Sequence, residues 1–310
     1  MTRTPKPLVI RLLRNRLAAA GVCLILCLII GALSAPAWVR LGTLPAPSVQ
    51  AGEGLDEDGM PLPPSSRYWL GTDQLGRDVL SRVLHGARVS LAVGAAAVLT
   101  ATVLGLAVGL TAGFYGGRLD LVLMRFTEMN MTIPAILLAV AFAGLMDGRV
   151  VHLHPASWDW HWLDLRLQRG MTSLFVVIGF VCWPAMVRVI RGEVLALRER
   201  EFVAAARALG ASDRRVIFRH ILPNLLPTVI VLAAMNVGYT ILLEAGLGYL
   251  GIGVPPPAPT WGSMINDGQP YFVSAPHIVI VPGLAIVLTV LGFNLFGQGL
   301  QEVLDHRGRP

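Results

Sequence analysis

Six long apolar blocks, separated by polar stretches, set the pattern of this chain. They run from about Leu17 to Trp38, Ser90 to Phe114, Leu119 to Met146, Thr172 to Ile190, Leu225 to Tyr249 and Ile278 to Gly299. Each is near the ~20 residues that carry an α-helix across a bilayer. The pattern predicts an all-α, polytopic membrane protein of about six transmembrane helices. The third block contains Arg125 and Glu128, so its lipid-embedded part is expected to begin late. Arg11, Arg14 and Arg16 before the first block, with Ala35-Pro36-Ala37 at its end, imitate a secretory signal. The block is too long for that, and a proline sits in the would-be cleavage site, so the first helix is read as retained.

Between the fourth and fifth blocks lies a charged segment, Arg198 to Pro223. Alanines Ala204, Ala205 and Ala206 favour helix, and Gly210 four residues on supplies a left-handed stop. Ser212 is placed to cap a second short helix carrying Arg214, Arg215 and Arg219. The expected object is a helix-turn-helix on the membrane surface. The alanines leave one of its faces small enough for another protein's groove.

Charge orients the chain. The N-terminal tail has five basic residues and no acid, and Arg188 to Arg219 holds eight arginines against four acids. The stretch Pro255 to His277 has no Lys or Arg and carries Asp267, while Val39 to Arg88 has five arginines and six acids. With six spans, both termini and the arginine-rich loop fall on the cytoplasmic side. The overall balance, 25 Lys+Arg against 19 Asp+Glu, is read as this loop bias and not as nucleic-acid binding. Only Lys6 is a lysine, which excludes a Walker A loop. ATP, if transport uses it, must be bound by another chain. No paired nucleophile and base is apparent, no catalytic residue is assigned, and no cofactor is expected. Cys23, Cys27 and Cys182 have neither zinc nor disulfide spacing and read as small hydrophobes.

Several local patterns carry physical content. Ala97, Ala101, Gly105, Gly109 and Gly113 recur every fourth position and put small residues on one helix face, where another backbone can approach closely. Gly76 suits a turn, after which Asp78 to Arg88 reads as a short interfacial helix with Asp78 and Arg82 paired at i,i+4. Asp73 and Asp78 have no His or Cys partner, so they are a weak metal signal and no metal site is assigned. Prolines from Pro255 to Pro259 predict a stiff, extended segment, and Trp261 suits the membrane–water interface. His152, His154 and His161 among Trp158, Trp160 and Trp162 read as surface or interface histidines. Asn236 and Glu244 lie eight residues apart on the fifth block and share a face, which makes them candidates for polar lining of a pathway.

Three of these segments carry a resemblance. Ala204-Ala205-Ala206, three residues, Gly210, then Ile221-Leu222-Pro223 resembles the EAA loop of bacterial ABC importer permeases, with Ala204 where the Glu is usual and Glu201 one turn earlier. Gly71-Thr72-Asp73, Gly76-Arg77-Asp78-Val79 and Gly86-Ala87-Arg88 look like the C-type permease subunit of dipeptide, oligopeptide and nickel importers. Leu250-Gly251-Ile252-Gly253 with Pro255-Pro256-Pro257-Ala258-Pro259-Thr260-Trp261-Gly262 is similar to a segment of the same subunits. Leu304-Asp305-His306-Arg307 departs from their usual Leu-Asp-Pro-Arg ending.

The resemblance implies a type I importer permease in a bacterial inner membrane. Its expected partners are a second homologous permease subunit, two ATP-binding subunits, an extracytoplasmic solute-binding protein and membrane lipid. It implies ATPase coupling through Glu201, Ala204, Ala205, Ala206, Gly210, Ile221 and Pro223. The expected organisation is a cytoplasmic tail over 1–16 and a first helix with extracytoplasmic loop over 17–89. A core permease domain follows over 90–300, with the coupling loop at 191–223, and a cytoplasmic tail over 301–310. The expected cargo is a di- or oligopeptide, with nickel or glutathione as alternatives. A self-sufficient secondary transporter is the competing class, and it predicts inverted repeats or several embedded charges.

Overall fold

The computed structural model describes residues 11–12, 14–146, 149–152, 164–167 and 171–305. Among them five helices are long and apolar enough to cross a membrane, or six if one bent pair counts as a single span. They are α1 (Arg16–Arg40), α2 (Val79–Tyr115), the pair α3 (Gly117–Thr132) and α4 (Ala135–Met146), α5 (Met171–Arg198), α7 (Asp213–Tyr249) and α9 (His277–Asp305). Two short helices, α6 (Glu201–Ala208) and α8 (Trp261–Gly268), lie between spans. The expectation of a helical, polytopic fold holds, with one addition: β1 (Arg149–His152) and β2 (Asp164–Leu167) pair as an antiparallel ribbon. His154, His161 and the three tryptophans of that loop lie outside the described residues.

The third predicted span is not one straight helix. α3 and α4 meet at an angle of 96°. The residue before a proline is pushed out of the helical region, and Ile133, ahead of Pro134, is extended at φ −89°, ψ 128°. α4, with 12 residues, is about 18 Å long and cannot span a bilayer alone.

α2 and α5 form the centre of the fold. Cβ atoms added at Gly105, Gly109 and Gly113 would lie 2.5 Å from Met186 Cβ, 2.7 Å from Ile190 Cγ2 and 2.8 Å from Val194 Cβ. Hydrogen in place of methyl therefore sets this spacing, as the small-residue stripe predicts. The core continues through Val177, Ile178, Trp183, Met186, Ile190, Leu225 and Leu247, all buried. α1 packs on α9 in the same way. The carbonyl of Val303 accepts from Arg11, and Asn15 donates to the Glu302 carboxylate at 2.6 Å. The first and last described helices thus meet at one end of the bundle. Cys23 and Cys27 are exposed on the outer face of α1, and only Cys182 is a buried small hydrophobe.

Two helices extend beyond their apolar blocks. α2 starts at Val79, not near Ser90, so the expected separate interfacial helix is its first turns. The short basic helix after Ser212 is likewise continuous with the fifth span as α7. Pro223 cannot donate a backbone hydrogen bond, and α7 widens to i→i+5 turns over Val216–Ile221 just before it.

Candidate functional site

α6 packs on the membrane bundle by one side only. Leu209 closes the helix, and Gly210 adopts φ +79°. The amide of Ala211 donates to the carbonyl of Ala206, and that of Gly210 to Arg207. This is the Schellman arrangement that a left-handed glycine permits. Ser212 sits at the expected cap position of α7, but its side chain makes no cap bond.

Val203 and Ala206 of α6 are buried, and Val203 joins the core with Val194, Val216 and Ile221. Ala204, Ala205, Ala208, Leu209 and Gly210 are exposed. Phe202 and Phe218 add exposed aromatic rings. The predicted coupling residues therefore divide. Ala204, Ala205, Glu201, Gly210 and Pro223 reach the surface, whereas Ala206 and Ile221 are anchors inside the chain.

The anchors tie α6 to a corner of the bundle. α2 ends at Gly116, which with Gly117 has positive φ, and α3 departs from there. Arg198 donates to the carbonyls of Phe114 (3.1 Å) and Gly113 (3.4 Å), capping the end of α2 with a cation where the helix dipole is negative. The Arg207 guanidinium lies 5.2 Å from the Phe114 ring centre, within cation–π range. Arg191 of α5 holds Asp120 of α3 through two hydrogen bonds at 2.5 and 2.6 Å. Arg207 thus joins α6 to the end of α2, and Arg198 and Arg191 join α5 to α2 and α3 at the same corner.

At the break between α3 and α4 is a concavity of about 240 Å³. Asn130, Pro134, Pro184, Asn236 and Tyr239 are among its lining residues, and none of the described lining residues is charged. Asn236 also donates to the carbonyl of Leu232. Glu244 is not with it. Its side chain is fully buried beside the Ser90 and Thr260 hydroxyls, without good hydrogen-bond geometry, and it is not among the residues lining that concavity.

The end of α2 away from α6 holds a buried ionic network that pattern reading missed. Asp73 pairs with Arg77 (2.7 Å) and Arg82 (3.1 Å), and both arginines reach Asp267 at 3.8 and 3.7 Å. The expected Asp78–Arg82 pair is absent. Asp78 instead caps α2, accepting from the Ser81 amide at 2.6 Å. Burial pushes the Asp78 carboxyl above the usual carboxylate range; the Ser81 and Leu80 amides oppose this, and Asp73 adds to it. Gly76, with φ +72°, makes the turn that brings Asp73 and Arg77 together. The only sequence signal for the network was the density of charge at Asp73, Arg77, Asp78 and Arg82. Trp261 is fully buried and donates from Nε1 to the Val83 carbonyl, so it packs α8 against α2 and does not face the interface.

The chain matches the family of binding-protein-dependent transport system inner membrane components over residues 105–310, and it belongs to that family. It is 40% identical over 250 residues to the glutathione transport system permease protein GsiD of Pectobacterium atrosepticum, covering 81% of this chain and 76% of that one. It is 37% identical over 298 residues to the dipeptide transport system permease protein DppC of Alkalihalophilus pseudofirmus, covering 95% and 87%. The fold matches an inward-facing structure of the MetNI methionine ABC transporter with a TM-score of 0.54 at 18% identity, over 72% of this chain and 96% of that one. The chain is therefore a multi-pass membrane permease component of an ABC importer and not its catalytic part.

Proposed function

We propose that this chain forms half of the membrane pathway of a peptide importer and is driven through α6. The observation that carries the reading is the exposed, small-residue face of α6 held rigidly on the corner of α2, α3 and α5. Alternating access requires that closure of ATPase subunits be passed to membrane helices through such a contact. Glu201, Ala204, Ala205 and Gly210 form the docking surface, Pro223 flanks it, and Ala206 and Ile221 keep it in place.

The partners are a second permease subunit, two ATPase subunits and a solute-binding protein. The end bearing α6 faces the cytoplasm, with the first and last helices meeting at that same end. The α3–α4 break faces the second permease, and Asn130, Asn236 and Tyr239 line the passage between them. The organisation is that expected above, except that the core begins with α2 at Val79 and not at residue 90, and 191–223 is the coupling segment.

The cargo reading is di- or oligopeptide. Its support is the likeness to a dipeptide and a glutathione permease, together with a mostly apolar concavity that presents two amides and a phenol. Such groups suit a peptide backbone, which is common to many cargoes. The test has two arms. Ala205→Glu places a charge in the docking face and is expected to separate the ATPase subunits from the permeases or to leave hydrolysis without transport. Labelled dipeptide and glutathione uptake, with and without this chain, reads the cargo. Normal transport by Ala205→Glu at normal expression would remove α6 as the contact, and unchanged uptake of both in the deletion would reject the peptide reading.

A further inference from the structure

A cleft of about 700 Å³ opens between α1, the start of α2 and the proline segment. Its walls are apolar: Ile29, Ala32 and Leu33 from α1, Leu91 and Ala92 from α2, and Pro257 to Pro259 opposite. Three lining side chains are polar: Ser48, His85 and Arg88. Arg88 and His85 lie three residues apart on α2, so they share a face one turn apart. No acid is among the described lining residues. Arg88 is exposed.

The rim lies at a defined depth. From Val89 to Gly117 no charged residue occurs, so Arg88 is the last cation before the uninterrupted apolar stretch of α2. At 37 residues, α2 is about 55 Å long, against ~30 Å of bilayer hydrocarbon. Its first turns stand at headgroup level, at the end away from α6.

His85 adds a directional group. Its Nδ1 is 2.9 Å from the carbonyl oxygen of Ser81, which can only accept, so Nδ1 carries the proton and donates. In the neutral ring Nε2 is then an acceptor. A guanidinium beside a hydroxyl acceptor, above an apolar trough, matches a phosphodiester that bears a glycerol hydroxyl and acyl chains.

We propose that this cleft binds an anionic phospholipid of the phosphatidylglycerol type. The phosphate sits on Arg88, a headgroup hydroxyl donates to His85 Nε2, and an acyl chain lies along Ile29, Leu33 and Leu91. The lipid wedges α1 and the proline segment against α2. The site depends on the membrane fold alone, so it stands or falls separately from the peptide reading.

The test uses the assembled importer in nanodiscs of phosphatidylglycerol, phosphatidylcholine or a mixture, with co-purifying lipid counted by native mass spectrometry. Wild type is expected to retain phosphatidylglycerol over phosphatidylcholine by about tenfold, and Arg88→Glu to abolish the preference. Arg88→Lys should keep part of it, because the charge remains without the fork. Leu33→Trp, which fills the trough from an exposed position, should reduce retention of both lipids and keeps the test valid if Arg88→Glu fails to assemble. Free glycerol 3-phosphate should not displace the lipid. Equal retention of the two lipids by wild type, or undiminished preference in Arg88→Glu, would overturn the proposal. So would displacement by glycerol phosphate, or a photocrosslinker at Leu33 reacting with another subunit instead of lipid.

Discussion

The α2–α5 interface yields a quantitative expectation. A methyl at Gly109 would lie 2.7 Å from Ile190 Cγ2, 2.9 Å from Ile190 Cβ and 3.2 Å from the Val187 carbonyl oxygen. Carbon atoms need about 3.5 Å, so the helices must part by roughly 0.8 Å. Rotation of Ile190 cannot relieve it, because Cβ and the backbone oxygen are fixed. Overpacking of this kind costs about 1–3 kcal/mol. Alanine regains about 1 kcal/mol of helix propensity, which leaves a net loss of about 0–2 kcal/mol for Gly109→Ala. Gly105→Ala and Gly113→Ala meet the same wall, at 2.5 Å from Met186 Cβ and 2.8 Å from Val194 Cβ. Once one methyl has parted the helices, the others fit with less strain, so the triple variant should lose less than the sum of the singles. Gly192, on α5 itself, has nothing within 4 Å of its added Cβ, and Gly192→Ala should be neutral or stabilising. Thermal unfolding of the purified complex, followed by tryptophan fluorescence and size exclusion, measures all five variants. If Gly109→Ala were as stable as Gly192→Ala, or the triple additive, the close-contact reasoning would be refuted.

Two further outcomes follow from the membrane faces. Cysteines placed at Glu53 and Gln269 should react with an impermeant reagent from outside and one at Arg207 only from inside; labelling of Gln269 from the cytoplasm alone would invert the topology. Asp78→Ala removes the α2 cap and should cost about 1 kcal/mol, while Asp78→Asn should keep the cap. Because the folded state raises the Asp78 carboxyl, its stabilising share is full below the usual carboxylate range and lost as pH rises through the raised value. The Asn variant should lack that decline in a melting-temperature series.

The spans were legible because each is one run of apolar residues with a single period. The turn after α6 was legible because one residue, Gly210, fixes it. The break at Pro134 was visible as a proline in an apolar run, but such a residue either kinks or ends a helix. Its 96° outcome depends on where α5 and α7 leave room for α4. The buried status of Ala206 and Ile221 follows from which side of α6 meets Val194 and Val216, and a motif carries no such direction. The Asp73, Arg77, Arg82 and Asp267 network joins residues nearly two hundred positions apart, so the local i,i+4 rule chose the wrong partner for Arg82. Glu244 and Asn236 share a helix face on paper. Packing by α8 and α2 closes over the one and leaves the other open.

The length of α2 has a mechanical consequence. One unbroken helix, about 55 Å long, runs from the corner gripped by Arg198 and Arg207 to the turn that presents Arg77 and Arg82. Its glycine face at Gly105, Gly109 and Gly113 lies against α5, and that contact is the fulcrum for any tilt of the helix. Val79 lies about 45 Å from that contact, so a tilt of about 5° would displace the far tip by about 4 Å. A small angular stroke at one membrane face would thus become a larger linear travel at the other, with no hydrogen bond of the helix broken on the way.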